Sequence, residues 1–326
     1  MQLVKHLKEL GHRFTPFLLE KQSQTTSHRC CIMLSPKEIT LIHLNRLQDS
    51  IEILFLEKLQ YDDLYSLSLV LAGTVNKYQL NTMPTYWLLT PADYQLFLIE
   101  SLPVEPEEFN DALRWRIRSL ITYPLEDAML DYFKLPNKKG TTTVSPMIAA
   151  VVARFMELSK TIQAMNKGGL RLTTIDIPEL AMRNLTNFYE NDEKSTAFIY
   201  FYKDIAILNI THQKTLYFTR HINLFLDDQK TYKNYEELSL DILRYFDYFQ
   251  SQWRFPSPNR VFFASEKKEV ANIAKSLSEF LGLAVEAFSL NFIAVDKTKL
   301  SLLQEKYLLP IGCALREDIS NAASGN

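Results

Sequence analysis

The sequence predicts an α/β (α+β) chain built from two duplicated lobes, with a small α+β unit inserted into the first. Three observations carry this. Residues 30–58 read as a meander of three short strands, followed by a helix and a buried strand. Residues 196–222 repeat the meander, again followed by helix and strand. Between them, residues 93–169 follow a βαββα order that belongs to neither repeat.

Each element rests on a local pattern. Residues 1–20 can form an amphipathic helix with Leu3, Val4, Leu7, Leu10 and Phe14 on one side and Lys5, His6, Lys8 and His12 on the other. Such a helix either packs on its own domain or rests on a membrane surface. Residues 22–28 are a polar linker. Cys30–Leu34, Glu38–Leu44 and Ile51–Lys58 are β-branched or alternating, as strands require. Asp62–Lys77 carries Leu64, Leu67, Leu71 and Val75 at helical spacing, and Thr85–Thr90 reads as a buried strand.

In the inserted unit, Gln95–Leu102 is a strand, and Pro103 and Pro106 lead into a helix with Glu107 and Glu108 in its first turn. Phe109, Leu113, Ile117 and Leu120 are expected to share the apolar face of that helix. Trp115 falls on the opposite side, and Arg114 and Arg118 lie off the stripe. Met129–Leu135 and Met147–Ala153 read as a hairpin around 137–140. Arg154–Met165 follows as a helix ended by Gly168-Gly169.

Leu170–Ile177 is a strand, and Pro178 begins a short helix. The second meander is Thr196–Tyr202, Asp204–Thr211 and Lys214–Ile222. A long helix over 235–250 presents Tyr235, Leu238, Ile242, Tyr245, Phe246 and Phe249 on one face. Val261–Ala264 (strand), Lys268–Leu281 (helix), Val285–Phe288 (strand) and Leu308–Arg316 (helix) complete the order. Two meanders, each followed by helix and strand, are the order of the actin-like, or ribonuclease-H-like, two-lobed architecture. The expected division is 1–28 as N-terminal helix and linker, 29–92 with 170–190 as first lobe, 93–169 as insert, and 191–326 as second lobe.

Composition narrows the function. The chain is 47% hydrophobic and 23% charged, an ordinary globular balance. Its 36 basic and 38 acidic residues leave a net charge of −2, which argues against a dedicated nucleic-acid binder. No apolar run reaches the roughly 18 residues of a membrane span, and the N-terminus does not read as a signal peptide. Three cysteines fit a reduced, cytoplasmic setting, with Cys30-Cys31 read as a strand-edge pair of which one is buried. Only 8 glycines are present, against roughly 23 at average usage. No GxGxxG or GxxxxGKS string occurs, which disfavours a phosphate-cradling loop. The six histidines include no i, i+4 pair, and there is no HExxH or CxxC, so no metal site is expected. Asp62-Asp63 and Glu126-Asp127 read as helix-start pairs, not as acid–base groups.

Four blocks then resemble one family. RWRIRSLITYPLEDAMLDYF (114–133) resembles the part of PilM-type pilus proteins in which a helix runs into a Pro-Leu-Glu turn and an LDY strand. TTIDIPELAMRNL (173–185) resembles the strand and helix that lead from the first lobe to the second. LSLDILRYFDYFQSQ (238–252) resembles the family's long helix, and LLPIGCALRE (308–317) its C-terminal helix. The blocks occur in order over about residues 30–317, and the first two are most similar to the MshI branch, which serves the mannose-sensitive haemagglutinin (MSHA) pilus. The resemblance implies an actin-like fold with an FtsA-like inserted subdomain. It also implies a cytoplasmic protein held at the inner membrane by a PilN-like partner, whose N-terminal tail lies in a groove beside that subdomain. Membrane contact through the partner and self-association both fit this reading.

The same resemblance implies where ATP and Mg²⁺ would bind, and the residues depart from it. Met33 stands where an Asp would organise the metal, and Ser35 where a glycine would approach phosphate. The second loop offers Tyr200-Phe201-Tyr202 in place of Asp-x-Gly. The adenosine loop is Ser265-Glu266-Lys267-Lys268 in place of a glycine-rich turn. One reading is a degenerate site, hence a pseudo-ATPase adaptor with no catalytic residue and no cofactor. The other is a working ATP-binding protein whose nucleotide state controls assembly or polymerisation, with Lys37, Lys203, Lys267 and Lys268 neutralising phosphates. For the partner, Arg114, Trp115 and Arg118 are the candidate contacts. Trp115 is either an anchor for the tail or a packing residue of the neighbouring lobe.

Overall fold

A computed structural model describes residues 28–47, 50–105, 107–137, 147–190, 194–224, 234–266 and 269–316. The expected N-terminal helix, the tip of the 137–140 turn, Lys267, Lys268 and the 320–326 tail lie outside these residues.

Strands β1 (His28–Ser35), β2 (Glu38–Arg46) and β3 (Ile51–Gln60) form the first meander. Helix α1 (Leu64–Tyr78) and β4 (Pro84–Leu88) follow. With β8 (Arg171–Asp176) the sheet order is β3-β2-β1-β4-β8. β1 and β2, and β2 and β3, pair antiparallel; β1 with β4, and β4 with β8, pair parallel. The second sheet repeats this, with β9 (Thr196–Tyr202), β10 (Ile205–His212), β11 (Thr215–Asn223), β12 (Arg260–Ser265) and β13 (Val285–Ala287) in the order β11-β10-β9-β12-β13. Both sheets therefore place their strands third, second, first, fourth and fifth, which is the actin-like order. A third sheet of β5 (Tyr94–Glu100), β7 (Met147–Arg154) and β6 (Ala128–Lys134) belongs to the insert, in the order β5-β7-β6.

The helices among the described residues start and stop for local reasons. Asp63 caps α1: its carboxylate accepts from Ser66 N at 2.8 Å, and Ser66 Oγ accepts from Asp63 N at 2.9 Å. In the insert, α2 (Phe109–Arg118) is followed by α3 (Phe155–Lys167), whose second residue, Met156, donates its N–H to Asp127 Oδ1 at 2.9 Å. Both acidic pairs seen in the sequence thus supply helix caps. Gly169 (φ 84) ends α3 in the left-handed region. α4 (Pro178–Thr186) is followed by α5 (Tyr235–Trp253), α6 (Val270–Leu281), α7 (Lys297–Lys306) and α8 (Leu308–Ala314).

Two expectations need correction, and one helix is new. Leu120 does not share the face of Phe109, Leu113 and Ile117: α2 ends at Arg118, and Leu120 is exposed while Ile121, Tyr123 and Leu125 pack on the core instead. Cys30-Cys31 is not at a sheet edge. β1 lies between β2 and β4, so both thiols are fully buried, and like Cys313 they are free. Helix α7 was not anticipated; Asp296 starts it, accepting from Lys299 N at 2.9 Å.

The described residues fall into two compact units. The first holds those up to Phe133, Ile148–Ala181 and those from Leu309 on; the second holds Lys134–Met147 and Met182–Leu308. The last helix, placed by the sequence in the second lobe, clusters with the first unit. It does so because Arg46 donates to Leu315 O at 3.3 Å and Arg316 lies 3.2 Å from Asp176. In the second unit, Ile242, Phe246 and Phe249 of α5 and Leu277 of α6 bury against Ile199, Phe201 and Leu208. Trp253 closes that core and donates Nε1–H to Pro136 O at 2.9 Å.

In the first unit, α1 and α3 pack together. Gly168 makes their approach close: a Cβ there would stand 2.6 Å from Leu71 Cβ. Its φ of −71° suits any residue, so only the contact demands glycine. Gly168→Ala is expected to destabilise by about 1–3 kcal/mol through overpacking, the reverse of the usual gain from such a change. Urea denaturation measures it.

Candidate functional site

The parallel strands of the first unit end together. Met33, Leu88 and Asp176 are in register across β1, β4 and β8, and ligands of open α/β sheets bind beyond such carboxyl ends. Met33 is buried there. The β1–β2 turn follows, with Lys37 in the left-handed region at φ 64°. The Tyr61 hydroxyl donates to Ser35 O at 3.1 Å, and Tyr61 N donates to Lys37 O at 3.1 Å, so the turn is bonded from the side. Lys37 Nζ lies 4.0 Å from Asp62, both exposed.

Sequence reasoning missed the charged residues that gather at this edge. Asp93 accepts from Thr90 N at 2.7 Å and Thr90 Oγ1 at 2.8 Å. Tyr94 directs its hydroxyl at both oxygens of the buried Glu179, at 2.8 and 2.7 Å. Burial, and then the Glu179 charge, push the Tyr94 phenol well above its ordinary range. Asp176, wholly buried, accepts from Ile177 N at 2.9 Å and faces Arg316 at 3.2 Å. The one signal available was the DIPE string itself, two acids around a proline at a strand–helix junction.

In the second unit, Tyr200 and Tyr202 lie two apart on β9 and are both buried. Ala264 and Ser265 of β12 are in register with Tyr200 and Phe201, which brings the second and third expected loops together. Burial, then the Glu266 carboxylate and Tyr202, push the Tyr200 phenol well above its ordinary range. Ser265 is buried and Glu266 exposed. Lys203 turns β9 into β10 at φ 52°, with its Nζ 5.1 Å from the Tyr202 ring centre.

In the insert, α2 covers one face of the small sheet through Phe109, Leu113 and Ile117, against Ala128, Ile148, Ala150 and Val152. Arg114 donates to Leu125 O at 2.9 Å and Ala128 O at 3.3 Å, so it holds the turn after Pro124. Trp115 is 64% exposed, and the Arg118 guanidinium lies 5.3 Å from its ring centre. The opposite face of the sheet presents Met129, Asp131, Val151 and Ala153. With Leu89 and Leu158 these line a small, mainly apolar cavity of ≈ 20 Å³. Trp115 and this cavity are therefore on opposite sides of the three strands.

Among the described residues, no cluster of three or more His, Cys, Asp or Glu could hold a metal, and no helix is long and apolar enough to cross a membrane. Neither a protein-family model nor a curated protein matches the sequence. Solved structures do match. A chain of a "PilM-PilN type IV pilus biogenesis complex" aligns with a TM-score of 0.68 at 15% identity, over 90% of this chain and 99% of that one. The chain has a PilM-like fold. A Bacteroides thetaiotaomicron protein of actin-like ATPase fold and unknown function aligns at TM-score 0.48 and 11% identity, over 82% of this chain and 93% of its own. The cytoplasmic domain of EpsL, an inner-membrane component of the Vibrio cholerae type II secretion system, aligns at 0.44 and 13%, over 73% and 82%.

Within the PilM-like fold, the first unit depends on its buried ion pair. Arg316→Met is expected to cost about 3–5 kcal/mol, because Asp176 would be left wholly buried without its partner. Denaturant titration measures the loss.

Proposed function

We propose that the chain is a cytoplasmic adaptor of type IV pilus assembly that binds the N-terminal tail of a PilN-like inner-membrane protein. One observation carries this reading: the chain aligns with nearly the whole of a chain from a PilM–PilN complex. The insert offers the means. An extended tail can add to a small sheet through main-chain hydrogen bonds while pockets select its side chains. In the order β5-β7-β6, the edge strands β5 and β6 are where such a tail would add. Trp115 with Arg118 is an exposed aromatic–cation pair of the kind that anchors partners. Arg114 contributes by holding the turn beneath. The MSHA pilus is the system proposed, on the wording of residues 114–133 and 173–185.

The adaptor is proposed to work without ATP. Met33, Tyr200 and Tyr202 are buried at the expected metal and phosphate positions, and Glu266 adds a negative charge beside Tyr200. Each of these opposes an anionic nucleotide, through lost contact, bulk or repulsion.

Two measurements test the proposal. Calorimetry with a PilN-like tail peptide should give saturable binding that Trp115→Ala weakens at least about tenfold, a typical hot-spot loss. Equal affinities with an intact fold would remove Trp115 from the site, and no binding to the wild type would remove the adaptor reading. In a thermal-unfolding assay, a ligand at 100 times its dissociation constant adds about 2.7 kcal/mol. Mg-ATP is expected to add nothing, and a clear upward shift would establish nucleotide binding instead.

A further inference from the structure

At the end of β1 opposite Ser35, two histidines converge. His28 Nδ1 and His43 Nε2 are 3.1 Å apart, and their rings are tilted by 44°. The strand register explains the meeting. His28 pairs with Asn45, and Cys30 with His43, so all four residues share one face of the β1–β2 ladder. We propose that His28 and His43 form a binding site for a divalent transition-metal ion of the zinc or copper class.

The spacing is the first argument. With metal–nitrogen bonds of about 2.05 Å, nitrogens 3.1 Å apart subtend about 98° at the metal, between a right angle and the tetrahedral angle. The second argument is Asn45. Its Oδ1 is shielded from solvent and has no hydrogen-bond partner among the described residues, while the residue sits directly across from His28. An amide oxygen there can serve as a third, weaker ligand, with water completing the set. Phe55 meets His43 edge-on at 5.4 Å and stacks on Tyr78 at 4.1 Å, which gives the site an aromatic wall. His28 is only half-buried, which leaves a way in for the ion. Cys30 is not counted as a ligand. Its thiol is fully buried and already engaged with Thr85.

This site lies outside the partner-binding reading and does not depend on it. A metal there would fasten the first residue of β1 to the middle of β2. The test uses the full chain without an affinity tag, titrated with Zn²⁺ in a calorimeter and in a thermal-unfolding assay. One ion per chain and a raised unfolding midpoint are expected. Both should fall by more than about tenfold in affinity or vanish in His28→Gln and in His43→Gln, and both should persist in a His6→Gln, His12→Gln double variant. If His43→Gln does not fold, His28→Gln at the half-exposed strand end decides alone. Copper(II) binding read by electron paramagnetic resonance should show two imidazole nitrogens in the wild type and one in His28→Gln. Absence of binding, binding that survives His28→Gln, or binding lost with His6 and His12 would overturn the site and leave the pair as an imidazole–imidazole hydrogen bond.

Discussion

A carboxylate at the end of a buried strand has to be neutralised where it stands. Asp176 is wholly buried at the end of β8, and the cation facing it, Arg316, is the last residue described, 140 positions along the chain. Their attraction is set against the large cost of removing both from water, so the pair adds little net stability, but losing one partner is expensive. It therefore acts as a condition of assembly. The first unit is made of three separate stretches of chain, and the buried Asp176 meets its cation only when the last of them returns. Neighbouring contacts point the same way: Arg46 donates to Leu315 O, and the free thiols of Cys313 and Cys31 meet in a buried thiol–thiol hydrogen bond. The polar cluster at the strand ends, from Asp93 to Glu179, is built on that closed edge.

This explains which parts of the molecule were legible in the sequence. The two meanders were readable because their pattern is local: alternation within eight or ten residues, broken at short turns. Helix α5 was readable because Leu238, Ile242, Phe246 and Phe249 recur at helical spacing and all become buried. Helix α7 was not, since Leu303 is its one buried residue and its amphipathic signal is weak. Leu120 continued an apolar stripe on paper, but the chain leaves the helix at Ser119 on its way to the Pro124 corner. The candidate site was the least legible part. Glu179 finds Tyr94 85 residues away, and His43 finds His28 15 residues away across a strand pair. No sequence window contains such meetings. The absence of an i, i+4 histidine pair excluded a helical metal clamp and could say nothing of one built across a sheet.

Glycine scarcity acquires a structural meaning. Six of the described residues that are not glycine adopt the left-handed conformation, among them Lys37 and Lys203 at the first turns of the two meanders. Each such residue costs roughly 1–2 kcal/mol relative to glycine. Lys37 and Lys203 lie one or two residues past Ser35 and Tyr202, where the resemblance expects a backbone able to approach phosphate closely. A Cβ and a long side chain at the turn oppose that approach. Turn chemistry and the buried tyrosines of β9 thus support the same non-nucleotide reading from two independent places in the chain.

The insert shows how one small sheet can serve two surfaces. Side chains alternate across a strand, so Ala128, Leu130 and Tyr132 of β6 meet α2, while Met129 and Asp131 point the other way. The helix that buries the first face carries Trp115 outward on its far side. An extended segment lying against Met129 and Asp131 therefore has the thickness of a sheet and a helix between it and Trp115. A short tail of the kind proposed would have to wrap an edge of the sheet, along β5 or β6, to reach both. Arg114 matters to that arrangement. By donating to Leu125 O and Ala128 O it ties the helix carrying Trp115 to the start of the strand carrying Met129.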